Sequence, residues 1–293
     1  MRRWIVLSLL IATAVFIGFF TFSARSMRDK MAEVHTTAKT FLAAHPEAAS
    51  TRAGIFSIAS PTENPYGTFV LVHGSPGDWT DFGAYLADPN LTAGLQIVAV
   101  DRPGYGNSPD SARPPSLADQ ASRLAVWAEG LPPGKRFWLG HSFGASVVAK
   151  LAMDRPDLAD GVILLAGAMD PQWEQPRWFH AIANVASVHT SLPPPVAFAN
   201  DEALAYYNDL GAMESDWARI RSPVMIIHAR NDQLADFRHV AYARARLDPT
   251  RTEVIELRDG NHFLPWNRKP AVVAALRRMA GLPPESLSDN DSR

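Results

Sequence analysis

The chain has 293 residues, 47% hydrophobic and 20% charged, with a net charge of −2 and no cysteine. This is the composition of a globular protein with a sizeable core, and the absence of cysteine excludes a disulfide scaffold, a thiolate metal site and a cysteine nucleophile. The 28 basic residues are scattered along the chain, which gives no electrostatic footprint for a nucleic acid.

Residues 4–22, WIVLSLLIATAVFIGFFTF, carry no charge, and as a helix they would reach about 28 Å, close to the thickness of a bilayer core. Arg2 and Arg3 precede them, as in a single-pass anchor held with its N-terminus in the cytoplasm and its catalytic domain outside. A signal peptide cleaved from a secreted protein is the alternative. The run exceeds the usual apolar region of such a peptide, and no good A-x-A site follows it. Residues 1–24 are therefore the anchor or signal peptide. Met27, Met31, Val34, Ala38, Phe41 and Leu42 then recur at helical spacing, so 25–53 reads as a stalk helix and linker.

From residue 54 to 281 the pattern is that of one α/β domain. Short apolar runs at 68–73, 95–101, 136–141, 161–167, 224–229 and 252–257 are buried-strand candidates. They alternate with helical stretches at 116–129, 145–154, 237–247 and 271–279, and this alternation predicts a parallel sheet covered by helices on both faces. Residues 169–217 break the alternation. They hold Trp173, Trp178, Phe179, Phe198, Tyr206, Tyr207, Trp217 and three consecutive prolines at 193–195, with helical patches and no strand candidate, and read as an insertion. Residues 282–293 are polar and read as a flexible tail.

The sharpest local signal is Gly140-His141-Ser142-Phe143-Gly144, a G-x-S-x-G between a strand candidate and a helix candidate. A serine on such a turn presents its hydroxyl above the sheet, and the flanking Gly140 and Gly144 relieve crowding. Serine is a weak nucleophile and needs a base and an orienting acid. His262 follows the last strand candidate beside Gly260 and is the best base. Asp232 follows the strand at 224–229 and is the first choice of acid, with Asp236 and Asp259 as alternatives. An oxyanion hole requires two aimed N–H donors. The backbone of Phe143, just after the nucleophile, is one; the backbone of Ser75, in the loop His73-Gly74-Ser75-Pro76-Gly77, is the other.

Taken together, HGSPG at 73–77, DRPGYGNS at 101–108, GHSFG at 140–144 and the loops carrying Asp232 and His262 resemble the α/β-hydrolase superfamily, in its serine esterase and lipase-like branch. The resemblance covers residues 54–281. It implies an α/β-hydrolase fold: a mostly parallel eight-stranded sheet with an early antiparallel strand, flanked by helices, with a helical lid inserted after the sixth strand, here at 169–217. It also implies a triad of Ser142, Asp232 and His262. HGSPG is similar to the HGGPG of proline iminopeptidases, but GHSFG lacks the tryptophan those enzymes usually carry after the serine.

Two other patterns lead nowhere. Gly104-Tyr105-Gly106 imitates the start of a dinucleotide fingerprint, but Pro109 stands where the third glycine belongs, and the stretch reads as a structural loop. His73 and His141 have no carboxylate cluster or H-E-x-x-H beside them, so neither a metal nor any other cofactor is expected. The expected chemistry is hydrolysis of a carboxylic ester through an acyl-enzyme. The alternatives are a carbon–carbon bond hydrolase, thioesterase, amidase or aminopeptidase of the same fold, or a non-catalytic membrane-tethered binding protein. Serine rather than aspartate at the elbow argues against dehalogenase and epoxide hydrolase chemistry. The aromatic insertion and the anchor suggest a small ester or lipid-like substrate.

Overall fold

A computed structural model describes residues 29–63, 65–108, 113–176 and 178–283. The apolar segment expected to cross a membrane, the start of the stalk and nearly all of the tail lie outside these residues. Among the described residues no helix is long and apolar enough to cross a membrane.

Eight strands form one sheet: β1 (Ala49–Arg52), β2 (Ile55–Ala59), β3 (Gly67–Val72), β4 (Leu95–Val100), β5 (Lys135–His141), β6 (Gly161–Leu165), β7 (Val224–Ala229) and β8 (Thr252–Leu257). Their spatial order is β1-β2-β4-β3-β5-β6-β7-β8. β2 pairs antiparallel with β1 and β4, and every other pairing is parallel. Helices cover both faces, so β3, β6 and β7 are buried along their whole length, and the apolar runs that mark them in the sequence follow from that.

Alternate residues of each strand serve opposite layers. Val70, Val72 and Trp138 pack with the helices Leu117–Glu129 and Phe143–Asp154. Phe69, Leu71, Phe137 and Leu139 pack on the other face with Val272 and Leu276 of the helix Lys269–Met279. Ser116 starts the helix Leu117–Glu129 by accepting a hydrogen bond from the Asp119 N–H, one of the orphan donors at that end.

The segment expected to be a stalk and linker is drawn into this body. Residues 29–44 are helical, as their spacing predicts, but Val34, Ala38 and Phe41 are buried. Ala38 sits so close to Gly83 that any side chain there would overlap it. Residues 49–52 form the edge strand β1, so the sheet begins upstream of residue 54. Between β6 and β7 the described chain has no strand. It runs through the helices Trp178–Ala183, Ala186–His189 and Pro194–Ala212, flanked by short 3₁₀ turns.

The neighbours of β3 are β4 on one side and β5 on the other. The order of the parallel strands therefore reverses there, and a crevice opens beyond the carboxyl ends of β3 and β5.

Candidate active site

Four loops meet in that crevice. The turn from β5 into the helix Phe143–Asp154 holds Ser142 at φ +54° and ψ −121°, a backbone conformation that a side chain rarely adopts. The elbow can be this tight because of its glycines. A Cβ on Gly140 would overlap the Gly144 carbonyl, and one on Gly144 would lie 2.5 Å from the backbone oxygens of Val72 and His73. Ser142 N–H donates to the Leu165 carbonyl at 2.9 Å, tying the elbow to β6.

Beyond β8, His262 places Nε2 2.8 Å from Ser142 Oγ and Nδ1 2.8 Å from Asp232 Oδ2. An ionised carboxylate only accepts, so Nδ1 carries the proton, Nε2 is bare, and the Ser142 hydroxyl donates to it. Burial pushes the Asp232 carboxyl up, but the hydrogen bond and charge of His262, with backbone N–H groups of Ala235 and Leu234, outweigh it and hold the group below the usual range. Those two N–H groups both reach Oδ1, each at 2.9 Å. Of the acids weighed from the sequence, Asp232 is thus the one on His262. Asp236 is spent on Arg238, with Nε 2.7 Å from Oδ1.

Two further histidines brace the arrangement. His141 is buried beside Ser142 and donates from Nε2 to the His262 carbonyl at 2.8 Å. Burial, with the nearby His262, pulls its pKa down to about 3, so it stays neutral and keeps its second nitrogen bare. His228, fully buried, donates from Nε2 to Ala235 O at 2.8 Å, with Asp232 Oδ2 at 3.5 Å. His73 is no metal ligand in waiting. Its Nε2 accepts from the Arg102 backbone N–H at 2.9 Å and its Nδ1 donates to Gly74 O at 2.8 Å, which uses both ring nitrogens. Among the described residues no group of three or more metal-ligating side chains comes together.

The two expected oxyanion donors, Ser75 and Phe143, line one cavity with Ser142 and His262. Phe143 is the first residue of its helix, where an N–H has no intrahelical partner. Ser75 is fixed from behind. Tyr105 donates its hydroxyl to Glu202 Oε2 at 2.7 Å, and the Ser75 hydroxyl lies 2.8 Å from that of Tyr105. The Ser75 backbone N–H takes no part in that tie, and Ser75 remains in the cavity lining beside Ser142.

Glu202 itself, on the helix Pro194–Ala212, forms a fully buried ion pair with Arg102 at 2.7 Å. All five guanidinium N–H groups of Arg102 are placed: two on Glu202, one on Gln120 and one each on the carbonyls of His73 and Gly74. Desolvation opposes the charge on Glu202, yet Arg102 and the hydroxyls of Ser75 and Tyr105 hold its pKa below the ordinary value. Sequence reading gives no hint of this pair, because its members are 100 positions apart and Arg102 lies in a loop rich in turn residues.

The cavity measures about 710 Å³. Its walls are mostly apolar and include Trp173, Leu192, Val196, Leu234 and Trp266, and Met31 of the first helix reaches its lining. Such a space suits an apolar small-molecule portion held against a few fixed polar groups.

The chain is similar to several known proteins. The model of the alpha/beta hydrolase family matches residues 69–276. A pimeloyl-[acyl-carrier protein] methyl ester esterase of Edwardsiella ictaluri (strain 93-146) is 35% identical over 80 residues, 27% of this chain and 29% of that one. A 2-hydroxy-6-oxononadienedioate/2-hydroxy-6-oxononatrienedioate hydrolase of Escherichia coli O139:H28 (strain E24377A / ETEC) is 31% identical over 104 residues, 34% of this chain and 36% of that one. The chain thus spans about a third of the length of these curated relatives. Among solved structures, the monoacylglycerol lipase of Paleococcus ferrophilus superposes with a TM-score of 0.62 at 19% identity, covering 77% of this chain and 99% of that one, a likeness of fold.

Proposed function

The chain belongs to the alpha/beta hydrolase family, and from that premise we propose that it is a serine hydrolase that cleaves a carboxylic ester, with Ser142 as nucleophile, His262 as general base and Asp232 as its orienting acid. The observation that carries this reading is the unbroken line from Ser142 Oγ through both nitrogens of His262 to Asp232, with 2.8 Å at each step, opening on an apolar cavity. His262 Nε2 takes the hydroxyl proton as Oγ attacks the ester carbonyl. The Ser75 and Phe143 N–H groups receive the oxyanion that forms. The tetrahedral intermediate then collapses, the C–O bond to the alcohol breaks, and His262 returns the proton to the departing oxygen. Water repeats the cycle on the acyl-enzyme and frees the acid. Asp232 holds His262 in the Nδ1–H tautomer and stabilises the imidazolium.

In the same reading, the helices between β6 and β7 serve as a lid, and the apolar segment 4–22 anchors the protein with its catalytic domain outside the cytoplasm, near lipid-like esters. A reporter fused to the C-terminus and active only outside the cytoplasm should give a signal; activity from a cytoplasmic reporter instead would overturn the orientation. The Escherichia coli relative keeps carbon–carbon bond hydrolysis as a second reading, since the same line of groups serves it.

The central test is labelling with a fluorophosphonate, which reacts with an activated serine. Wild type should take up the probe and Ser142→Ala should not. A folded wild type that fails to label would remove the serine-hydrolase reading and restore that of a binding protein.

A further inference from the structure

The cavity is apolar apart from a small number of polar side chains, and several of these already have partners. Glu174 accepts from His239 Nε2 at 3.0 Å, and His141 is held by the His262 carbonyl. Seven buried side-chain atoms among the described residues have no hydrogen-bond partner, and only one of them, Asn200 Nδ2, belongs to a residue that lines this cavity. Asn200 is 8% exposed. Its Oδ1 is 3.0 Å from His180 Nδ1. A carbonyl oxygen only accepts, so His180 donates, and the amide is held with its NH₂ end unspent. A buried amide N–H without an acceptor is costly and is ordinarily paired.

The rotation of the helix Pro194–Ala212 explains why Asn200 is on the cavity side. Phe198 packs against Tyr105, with ring centroids 5.0 Å apart, Glu202 is locked to Arg102, and Asp209 accepts from the Leu117 N–H. Residues two positions away lie about 200° round a helix. Asn200, between Phe198 and Glu202, is therefore turned to the opposite side with Val196, Ala199 and Ala203, all of which line the cavity. The same helix also reaches the elbow. Tyr206 stacks on Phe143, the neighbour of Ser142, with centroids 4.3 Å apart. Six residues separate Tyr206 from Asn200, about 9 Å along the axis.

We propose that Asn200, its amide oriented by His180, is a specificity determinant that donates a hydrogen bond to an acceptor oxygen carried on the otherwise apolar acyl chain of the ester substrate, well down the chain from the scissile carbonyl. The proposal rests on the ester-hydrolase reading and names its substrate class: medium-length acyl esters bearing a keto, hydroxyl or similar oxygen well down the chain. The acyl group stays on Ser142 through both half-reactions, so a contact with it acts on formation and on hydrolysis of the acyl-enzyme alike. Most of the cavity wall near Asn200 is aliphatic and rewards the rest of the chain for leaving water.

The test compares two probes, p-nitrophenyl octanoate and p-nitrophenyl 7-oxooctanoate, which differ by one carbonyl near the chain end. Hydrolysis of the octanoate by wild type reports the ester-hydrolase reading by itself. The subsite is read from the ratio of kcat/KM for the keto ester to that for the plain ester. This ratio should fall about fivefold in Asn200→Leu, mainly through KM, since one neutral hydrogen bond is lost. It should fall further in Asn200→Asp, where a carboxylate confronts the ketone oxygen. His180→Ala, which frees the amide to turn, should lower it by a smaller factor. Labelling of each variant by the fluorophosphonate confirms that its nucleophile is assembled. Equal ratios in wild type, Asn200→Leu and Asn200→Asp would overturn the subsite while leaving the hydrolase reading intact; no hydrolysis of the octanoate by wild type would count against the hydrolase reading.

Discussion

Asparagine in place of Asp232 should leave the fold intact and lower kcat for ester hydrolysis by about 10⁴-fold. The size follows from the tautomer rather than from lost charge alone. Oδ1 of Asp232 is committed to the Leu234 and Ala235 N–H groups, so the amide of the variant keeps its oxygen there and presents NH₂ to His262. His262 Nδ1 then has to accept, its proton moves to Nε2, and the group facing Ser142 can no longer take a proton. Steady-state kinetics on a p-nitrophenyl ester measure the loss. Asp236→Asn is the matched control: its carboxylate is paired with Arg238 at the surface, and its replacement should leave kcat within twofold or so of wild type. Equal losses in the two variants, or none in Asp232→Asn, would mean that Asp232 does not orient the base.

Alanine at Glu202 should lower the unfolding free energy by about 3–5 kcal/mol, because it strands a guanidinium with no exposed surface inside the protein. That is a large part of the roughly 5–15 kcal/mol by which domains are stable. Urea denaturation measures it, and a loss below about 1 kcal/mol would show that water reaches Arg102. Glutamine at the same position adds a pH signature. The folded pKa of Glu202 lies below the value of a free glutamate, so the stabilisation from its charge is complete above the unfolded pKa of 4.5 and disappears as pH falls through the lower folded value. The stability gap between wild type and Glu202→Gln should therefore be widest near neutrality and narrow once the pH drops below that unfolded value.

How much of this could be read from the sequence depended on whether the signal was local. The six strands from β3 to β8 announced themselves as apolar runs because most are buried between layers. β1 and β2 did not: β1 is Ala-Ser-Thr-Arg at an exposed edge, with no face wholly in the core, and nothing in its composition separates it from a linker. Ser142 and His262, which the fold brings within 2.8 Å of each other, could be singled out because each sits on a local backbone signature, an elbow and a strand end. The choice between Asp232 and Asp236 was not, since both occupy one loop and only the folded chain shows that one faces inward under His262 and the other outward to Arg238. The Arg102–Glu202 clasp lay beyond sequence reasoning. It joins two segments with separate local patterns, and a lone arginine and a lone glutamate ordinarily sit in water.

The positive φ of Ser142 sets stability against chemistry. A side chain at that backbone angle holds a strain of order 1–3 kcal/mol, which glycine would not feel. At this one position durability and the proposed nucleophilic role point to different amino acids. On the proposed reading, Ser142→Gly should give a sturdier protein that lacks its nucleophile, so the serine hydroxyl is set on that turn at the expense of the fold.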